Sequence, residues 1–360
     1  MSEAQRNIRS LSLESLRSIF VESKIPAFRA NQVYAWVWER NIQDFSEINN
    51  IGKETIAFIE REFTLDKLTL INQQISSDKT IKCGFKTIDE QVIESVLIPT
   101  SKRMTACISS QAGCSLACKF CATGKIKMTK NLHSYELVDQ VVYLNELAQE
   151  KYGIPLSNIV LMGMGEPLLN YNNVITAMNI LSDPERYNIS PRRITLSTAG
   201  IAKMIRKLGD DEVRFNLALS LHAAEDEKRS RVMEINDSNN LEALSAALDY
   251  YYQKTNNRVT FEYILFKNFN DGLEDAAKLA EFARCVPCKI NLIEYNPIGD
   301  PLFQRADDEK TNQFKLFLER RNMVVNLRRS RGKDIDAACG QLANKVGNQE
   351  NKFNKRSKFL

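Results

Sequence analysis

An α/β architecture, with a parallel sheet wound as a partial or full barrel behind a small helical domain, is the fold this sequence predicts. Three observations carry it. From Thr105 onward, strand-like β-branched runs alternate with longer amphipathic runs, the pattern of parallel strands joined by crossover helices. Residues 1 to about 65 show helical periodicity only. The 360 residues suffice for one large domain with a small accessory one.

In order along the chain, Leu11, Leu13, Leu16, Ile19 and Phe20 mark a first amphipathic helix. Val33, Tyr34, Trp36 and Val37 mark a second, and the stretch from Ile51 to Phe63 a third. Residues 68–75, 80–85 and 91–98 read as strands, with Pro99 closing the last. Further strands are expected at 106–109, 158–162, 193–197, 215–220, 259–265, 290–295 and 324–327. Helices are expected between them at 134–152, 173–181, 201–208, 241–252, 273–285 and 307–321. The expected division is a helical accessory domain (1–67), a strand-rich linker (68–99), a core (100–340) and a basic tail (341–360). An open doubly wound sheet is the alternative for the core.

Charged residues make up 26% and hydrophobic residues 43% of the chain, a soluble globular composition. No apolar run approaches the roughly 18 residues a membrane helix needs. Arg6, Arg9, Glu14 and Arg17 interrupt the first twenty residues, so they make no signal-peptide core; a cytoplasmic protein is expected. The net charge of +4 is unevenly spread, with eleven Lys/Arg against three Asp/Glu from Arg320 to Leu360. A basic end on a near-neutral body suits a polyanionic partner, although a solvated tail reads equally well from charge alone.

Of eight cysteines, three lie in Cys114-Ser-Leu-Ala-Cys118-Lys-Phe-Cys121, just after an expected strand. A disulfide framework is not expected in a cytosolic chain of this size, so metal binding or catalysis is the default. Thiolates suit zinc or iron–sulfur clusters. Structural zinc closes with four ligands, and this local set has three. Three thiolates on a 4Fe–4S cluster leave one iron open to a small molecule. The spacing, with Phe120 before the last cysteine, resembles the radical S-adenosylmethionine (SAM) signature.

In barrels of this kind, function gathers at the C-terminal ends of the strands. Those ends here carry Gly163-Met-Gly165-Glu166-Pro167, Ser197-Thr198, Ser220-Leu221-His222 and Asn296-Pro297. Turns and helix caps would explain any one of them singly. Together, behind a three-cysteine loop, they favour a shared site. His222 is assigned contact rather than chemistry, and His133 a helix start. Cys107 and Cys339 read as buried thiols or as a redox pair. Cys285-Val-Pro-Cys288 reads as structural and Cys83 as core.

Several stretches taken together resemble one family. They are Cys107-Ile-Ser-Ser-Gln-Ala-Gly-Cys114, Cys121-Ala-Thr-Gly, Met162-Gly-Met-Gly-Glu-Pro-Leu-Leu-Asn170, Pro191-Arg-Arg-Ile-Thr-Leu-Ser197, Ser220-Leu-His-Ala and Asp334-Ile-Asp-Ala-Ala-Cys-Gly-Gln-Leu342, with Phe28-Arg-Ala-Asn-Gln32 near the N-terminus. They are similar to the RlmN family of bacterial radical SAM methyltransferases, which form 2-methyladenosine in 23S rRNA and tRNA. The resemblance implies a radical SAM core behind an RNA-binding accessory domain. It implies a 4Fe–4S cluster on Cys114, Cys118 and Cys121, and SAM contacts from Gly165, Glu166, Ser197, Ser220, Leu221, His222 and Asn296. It further implies two SAM per turnover, an electron donor such as flavodoxin or ferredoxin, and a monomer.

By the same resemblance Cys339 carries the methyl group and becomes tethered to adenine. Glu94 then removes the C2 proton, and Cys107 releases the product as a transient disulfide. The chemistry is consistent, because an adenine C2–H is neither acidic nor nucleophilic and needs a cofactor-derived radical. Arg328, Arg329 and Arg331 are expected to contact RNA phosphates. Rival readings are a relative that methylates C8 of adenine, a radical SAM enzyme for a small molecule, and a zinc-stabilised RNA-binding protein without catalysis. Pro167 after Gly165-Glu166 leans toward the C2 family.

Overall fold

The computed structural model describes residues 5–299 and 301–343. Most of the basic tail, with Lys352, Lys355, Arg356 and Lys358, lies outside them.

Ten strands form one sheet: β1 (Thr69–Ile75), β2 (Ile81–Lys86), β3 (Val92–Pro99), β4 (Met104–Cys107), β5 (Asn158–Leu161), β6 (Ile194–Thr198), β7 (Asn216–Ser220), β8 (Val259–Leu265), β9 (Cys288–Glu294) and β10 (Val325–Arg328). Each strand lies beside its neighbour in sequence, from β1 at one edge to β10 at the other. The first four are antiparallel hairpin neighbours, and every pair from β4 to β10 is parallel. Right-handed crossovers that always step in one direction put all their helices on one face. The sheet must then curl and bury its other face on itself. A doubly wound sheet would reverse direction midway, so the order decides for the partial barrel.

The crossovers are α4 (Ser134–Tyr152), α5 (Tyr171–Ser182), α6 (Ala202–Asp210), α8 (Leu241–Thr255), α9 (Leu273–Phe282) and α10 (Asp308–Glu319), with a short α7 (Asp226–Val232) ahead of α8. Helix α4 starts where its sequence says it should. The His133 amide donates to Glu136 Oε2 at 2.8 Å, and Gly153 ends the helix in the left-handed conformation. Strand β8 is buried at every residue, as a central parallel strand covered on both faces should be.

Helices α1 (Leu13–Glu22), α2 (Ala27–Trp38) and α3 (Lys53–Glu62) pack at the N-terminus. Their join to the barrel is made by Arg9, whose side chain is wholly buried. Its guanidinium meets Asp139 of α4 at 2.6 Å and lies over the ring of Trp38, 4.8 Å from the centroid. A buried cation needs such a partner, which makes this ion pair a fixed joint between the helices and the barrel.

Candidate active site

The cysteine loop leaves the end of β4 and returns to α4. It is pinched by a two-residue ribbon, Gln111–Ala112 against Lys130–Asn131. Gly113 at its neck has φ +82°, and a Cβ there would collide with the Lys127 carbonyl. Inside the loop, Cys121 N–H donates to the Cys118 carbonyl and Gly124 N–H to the Cys121 carbonyl, both at 3.1 Å. Phe120 packs edge-on against His222, with centroids 4.7 Å apart, so the loop is keyed to the end of β7.

Cys114, Cys118 and Cys121 line one cavity of about 150 Å³ with Gly165, Glu166, Ser197, Ser220 and His222. Burial raises all three thiols, Cys114 to about 11, and each lies near another of the three. Among the described residues no three His, Cys, Asp or Glu side chains converge on a single ion. One tetrahedral zinc requires all sulfurs about 2.3 Å from a point. A cubane cluster instead gives each thiolate its own iron, and its bound charge would offset the burial that holds these thiols protonated. The donor set fits the cluster.

Gly165 (φ +92°) lets the β5 end pass so close to Gln111 that a Cβ would lie 2.5 Å from its side chain. Both Glu166 oxygens accept backbone amides, Leu168 at 3.0 Å and Ala199 at 2.7 Å. Burial still lifts this carboxyl to about 7. It ties the β5 and β6 ends together, and a ligand would reach only its remaining lone pairs. His222 accepts the Ile264 N–H on Nδ1 at 3.1 Å. Burial, reinforced by Arg229, holds it neutral by lowering its pKa to about 3.

Two of the expected SAM contacts are not brought to the cavity wall. Leu221 is wholly buried; its amide donates to the Glu262 carbonyl and its carbonyl accepts from Arg229. Asn296 instead donates from Nδ2 to the Cys339 carbonyl at 3.1 Å.

A second, larger cavity of about 730 Å³ fills the barrel lumen, and both Cys107 and Cys339 line it. Met162, Glu262, Ile293, Arg328 and Cys339 border both cavities, so Cys339 stands where they meet. Burial, and then the neighbouring Cys339, pushes the Cys107 thiol up to about 12, while Arg328 pulls it back. All eight cysteines, Cys107 and Cys339 among them, are free thiols.

The Cys339 segment is held from several sides. The Gly340 carbonyl accepts the Ala122 amide at 2.7 Å, and the Leu342 carbonyl accepts the Thr123 hydroxyl at 2.7 Å. Glu94 lines neither cavity. It is wholly buried on β3, 3.5 Å from Lys82 Nζ, and accepts the Ala343 amide at 2.9 Å.

The sequence reading missed three contributors. Arg328, expected on phosphates, turns into the lumen. It sits 3.4 Å from Cys339 Sγ and 3.4 Å from Glu262, which Asn291 holds at 2.7 Å. Glu262 itself lay unnoticed inside an apolar run, although a carboxylate in a fully buried strand was a legible signal. Arg229, on the unexpected α7, donates to the carbonyls of Ala199, Ser220 and Leu221 and so knots the β6 and β7 ends. Arg229→Met should cost about 3–5 kcal/mol by leaving those carbonyls unpaired. Urea unfolding of the variant measures this, and a loss below about 1 kcal/mol would show that the knot is dispensable.

Comparison with known proteins agrees with this geometry. Residues 108–283 match the model for the radical SAM superfamily, and residues 6–62 match the ribosomal RNA large subunit methyltransferase N-terminal domain. A probable dual-specificity RNA methyltransferase RlmN from Cytophaga hutchinsonii is 54% identical over 336 residues, 93% of this chain and 92% of the relative. The chain belongs to the RlmN family of radical SAM RNA methyltransferases. The dual-specificity RNA methyltransferase RlmN of Nautilia profundicola is 39% identical over 90% of this chain and 94% of its own length. A radical SAM methyltransferase from Sphaerobacter thermophilus superposes with a TM-score of 0.87 at 38% identity, covering 94% of this chain and 99% of that one. As in other RlmN-family members, the chain is a SAM-dependent RNA methyltransferase with a 4Fe–4S cluster implied by its superfamily. No described helix is long and apolar enough to cross a membrane.

Proposed function

We propose that this enzyme methylates C2 of adenine in 23S rRNA and tRNA, with Cys339 as methyl carrier and Cys107 as the thiol that frees the product. The observation that carries the proposal is the placement of Cys339. It borders the cysteine-loop cavity on one side and, on the other, the lumen that Cys107 also lines. A group carried on its sulfur can face the cofactors and then the RNA without leaving its seat.

Cys114, Cys118 and Cys121 would hold the cluster, with SAM against Gly165, Glu166, Ser197, Ser220 and His222. Bound together, they supply the one-electron chemistry that can take a hydrogen atom from a methyl group. The residues do the rest. Asn296 and the Ala122 amide fix the carrier backbone, and the Arg328 guanidinium, held by Glu262, rests on the carrier sulfur. Attack of the Cys107 thiolate on that sulfur forms the Cys107–Cys339 disulfide and breaks the sulfur–methylene bond. The electron pair leaves with the adenine-bound methylene, which takes a proton to become the methyl group, and an external reductant reopens the disulfide. Glu94 takes the C2 proton once the Cys339–Ala343 segment that caps its carboxylate shifts. Leu221 contributes to SAM binding through the strand end it holds in place, and Asn296 through the Cys339 segment that borders the same cavity.

Incubation with bacterial rRNA, SAM and a reductant should yield 2-methyladenosine on nucleoside mass analysis. A predominance of 8-methyladenosine would overturn the C2 assignment and leave the carrier route standing.

A further inference from the structure

Cations gather on the side of the barrel opposite the cysteine loop, in the loops that lead into the parallel strands; the loop into β7, with Asp210, Asp211 and Glu212, is the acidic exception. Arg103 precedes β4, Arg192 precedes β6, Arg258 precedes β8, Arg284 and Lys289 flank the start of β9, and Arg321 precedes β10. All six are exposed, and none is in an ion pair among the described residues. On the cofactor side Lys130 pairs with Asp89 and Glu136, and Lys267 with Asp307, while Lys119 and Lys127 of the cysteine loop are exposed. Unpaired cations on one face repel one another and favour an anionic partner.

Two cavities open on this basic face. Arg258, Arg284 and Arg321 line a recess of about 320 Å³. Arg103, Arg192 and Lys289 line the lumen, together with the strand-start asparagines Asn158, Asn216 and Asn326. The lumen runs from these residues to Cys107 and Cys339. The cysteine-loop cavity meets it from the other end of the strands.

We infer that RNA docks on the face made by the N-terminal ends of the parallel strands. Its backbone phosphates lie against the recess of Arg258, Arg284 and Arg321, and the target nucleotide reaches Cys339 through the lumen from that side. Cofactor and RNA thus approach the carrier from opposite ends of the barrel. A base must leave its stack to react at C2, and a polar lumen behind a cationic rim accepts the base while the phosphates stay outside. The inference rests on the RNA-adenine reading above and adds the docking face and the route.

The test reverses two charges at Arg284→Glu plus Arg321→Glu, and two on outer helices away from that face at Lys203→Glu plus Lys315→Glu. Net charge then changes equally. The probe is deproteinised bacterial 23S rRNA, and binding is measured across a salt series, with iron content as the check on folding. The arginine pair should weaken binding by about tenfold and lower the log–log salt slope by about 1.5, with the lysine pair near wild type. Should Glu at these sites lower iron content, Arg284→Gln plus Arg321→Gln should show the same trend at smaller size. Equal effects from both pairs, or no effect from the arginines, would overturn the docking face. A wild-type enzyme that binds the rRNA but methylates no adenine would overturn the underlying reading instead, and the lumen route with it.

Discussion

Cys118→Ala is expected to give a folded protein that holds far less than the about four irons and four sulfides of the anaerobically purified parent. Cys118 lies between the other two thiols in sequence, and burial holds it well away from a free thiolate. It has little to offer solvent and much to gain from metal. Cys114→Ala and Cys121→Ala should behave alike, and all three should lose RNA methylation entirely. Iron and sulfide assays with near-ultraviolet circular dichroism separate cluster loss from misfolding. One equivalent of zinc and no iron in the parent would contradict the reading, and so would a Cys118→Ala variant that keeps its full iron content.

The second large effect separates the two single cysteines. Cys339→Ala should make neither methylated RNA nor a covalent complex, because the carrier sulfur is gone. Cys107→Ala should still accept a methyl group on Cys339 and still attach it to adenine, then stall with RNA bound through the thioether. Attack at sulfur needs a second thiol within reach, and Cys107 is the cysteine that lines the lumen beside Cys339. On a denaturing gel the Cys107→Ala band should shift with RNA and collapse after nuclease. Identical behaviour of the two variants, with no adduct in either, would remove the division of labour.

Much of this architecture is legible in the sequence. Strand β8 was expected at the residues where it occurs, because a seven-residue β-branched and aromatic run between polar turns leaves little choice. Helix α4 was equally clear, expected at 134–152 with His133 at its start, and it spans those residues. The partial barrel was expected from the strand–helix alternation, with an open doubly wound sheet as the alternative; periodicity says nothing of the order in which strands pair, and the observed order decides for the barrel. Helix α7 escaped because Asp226-Glu-Lys-Arg-Ser-Arg reads as a solvated surface turn, while Arg229 within it is wholly buried. Its burial is bought by carbonyls at distant strand ends, which no local pattern reveals.

The candidate site divides in the same way. Cys114, Cys118, Cys121, Gly165, Glu166, Ser197, Ser220 and His222 come together on one cavity, as their positions after successive strands imply. Glu94 came from resemblance alone, while Leu221 and Asn296 were also read at strand ends, and each is engaged in holding backbone. Arg328 was legible only as a cation. Its place against Cys339 depends on Glu262 and Asn291, on β8 and β9, which reach it only once the sheet is assembled.

The central claim is that the methyl group reaches RNA through Cys339 by a radical route. Supplying SAM with a fully deuterated methyl group tests it in a single mass measurement on the methylated adenosine. A methyl group that surrenders one hydrogen atom to become reactive, and regains one from a protic source, should arrive with two deuterium atoms. Product retaining all three would mean direct polar transfer and would contradict the account.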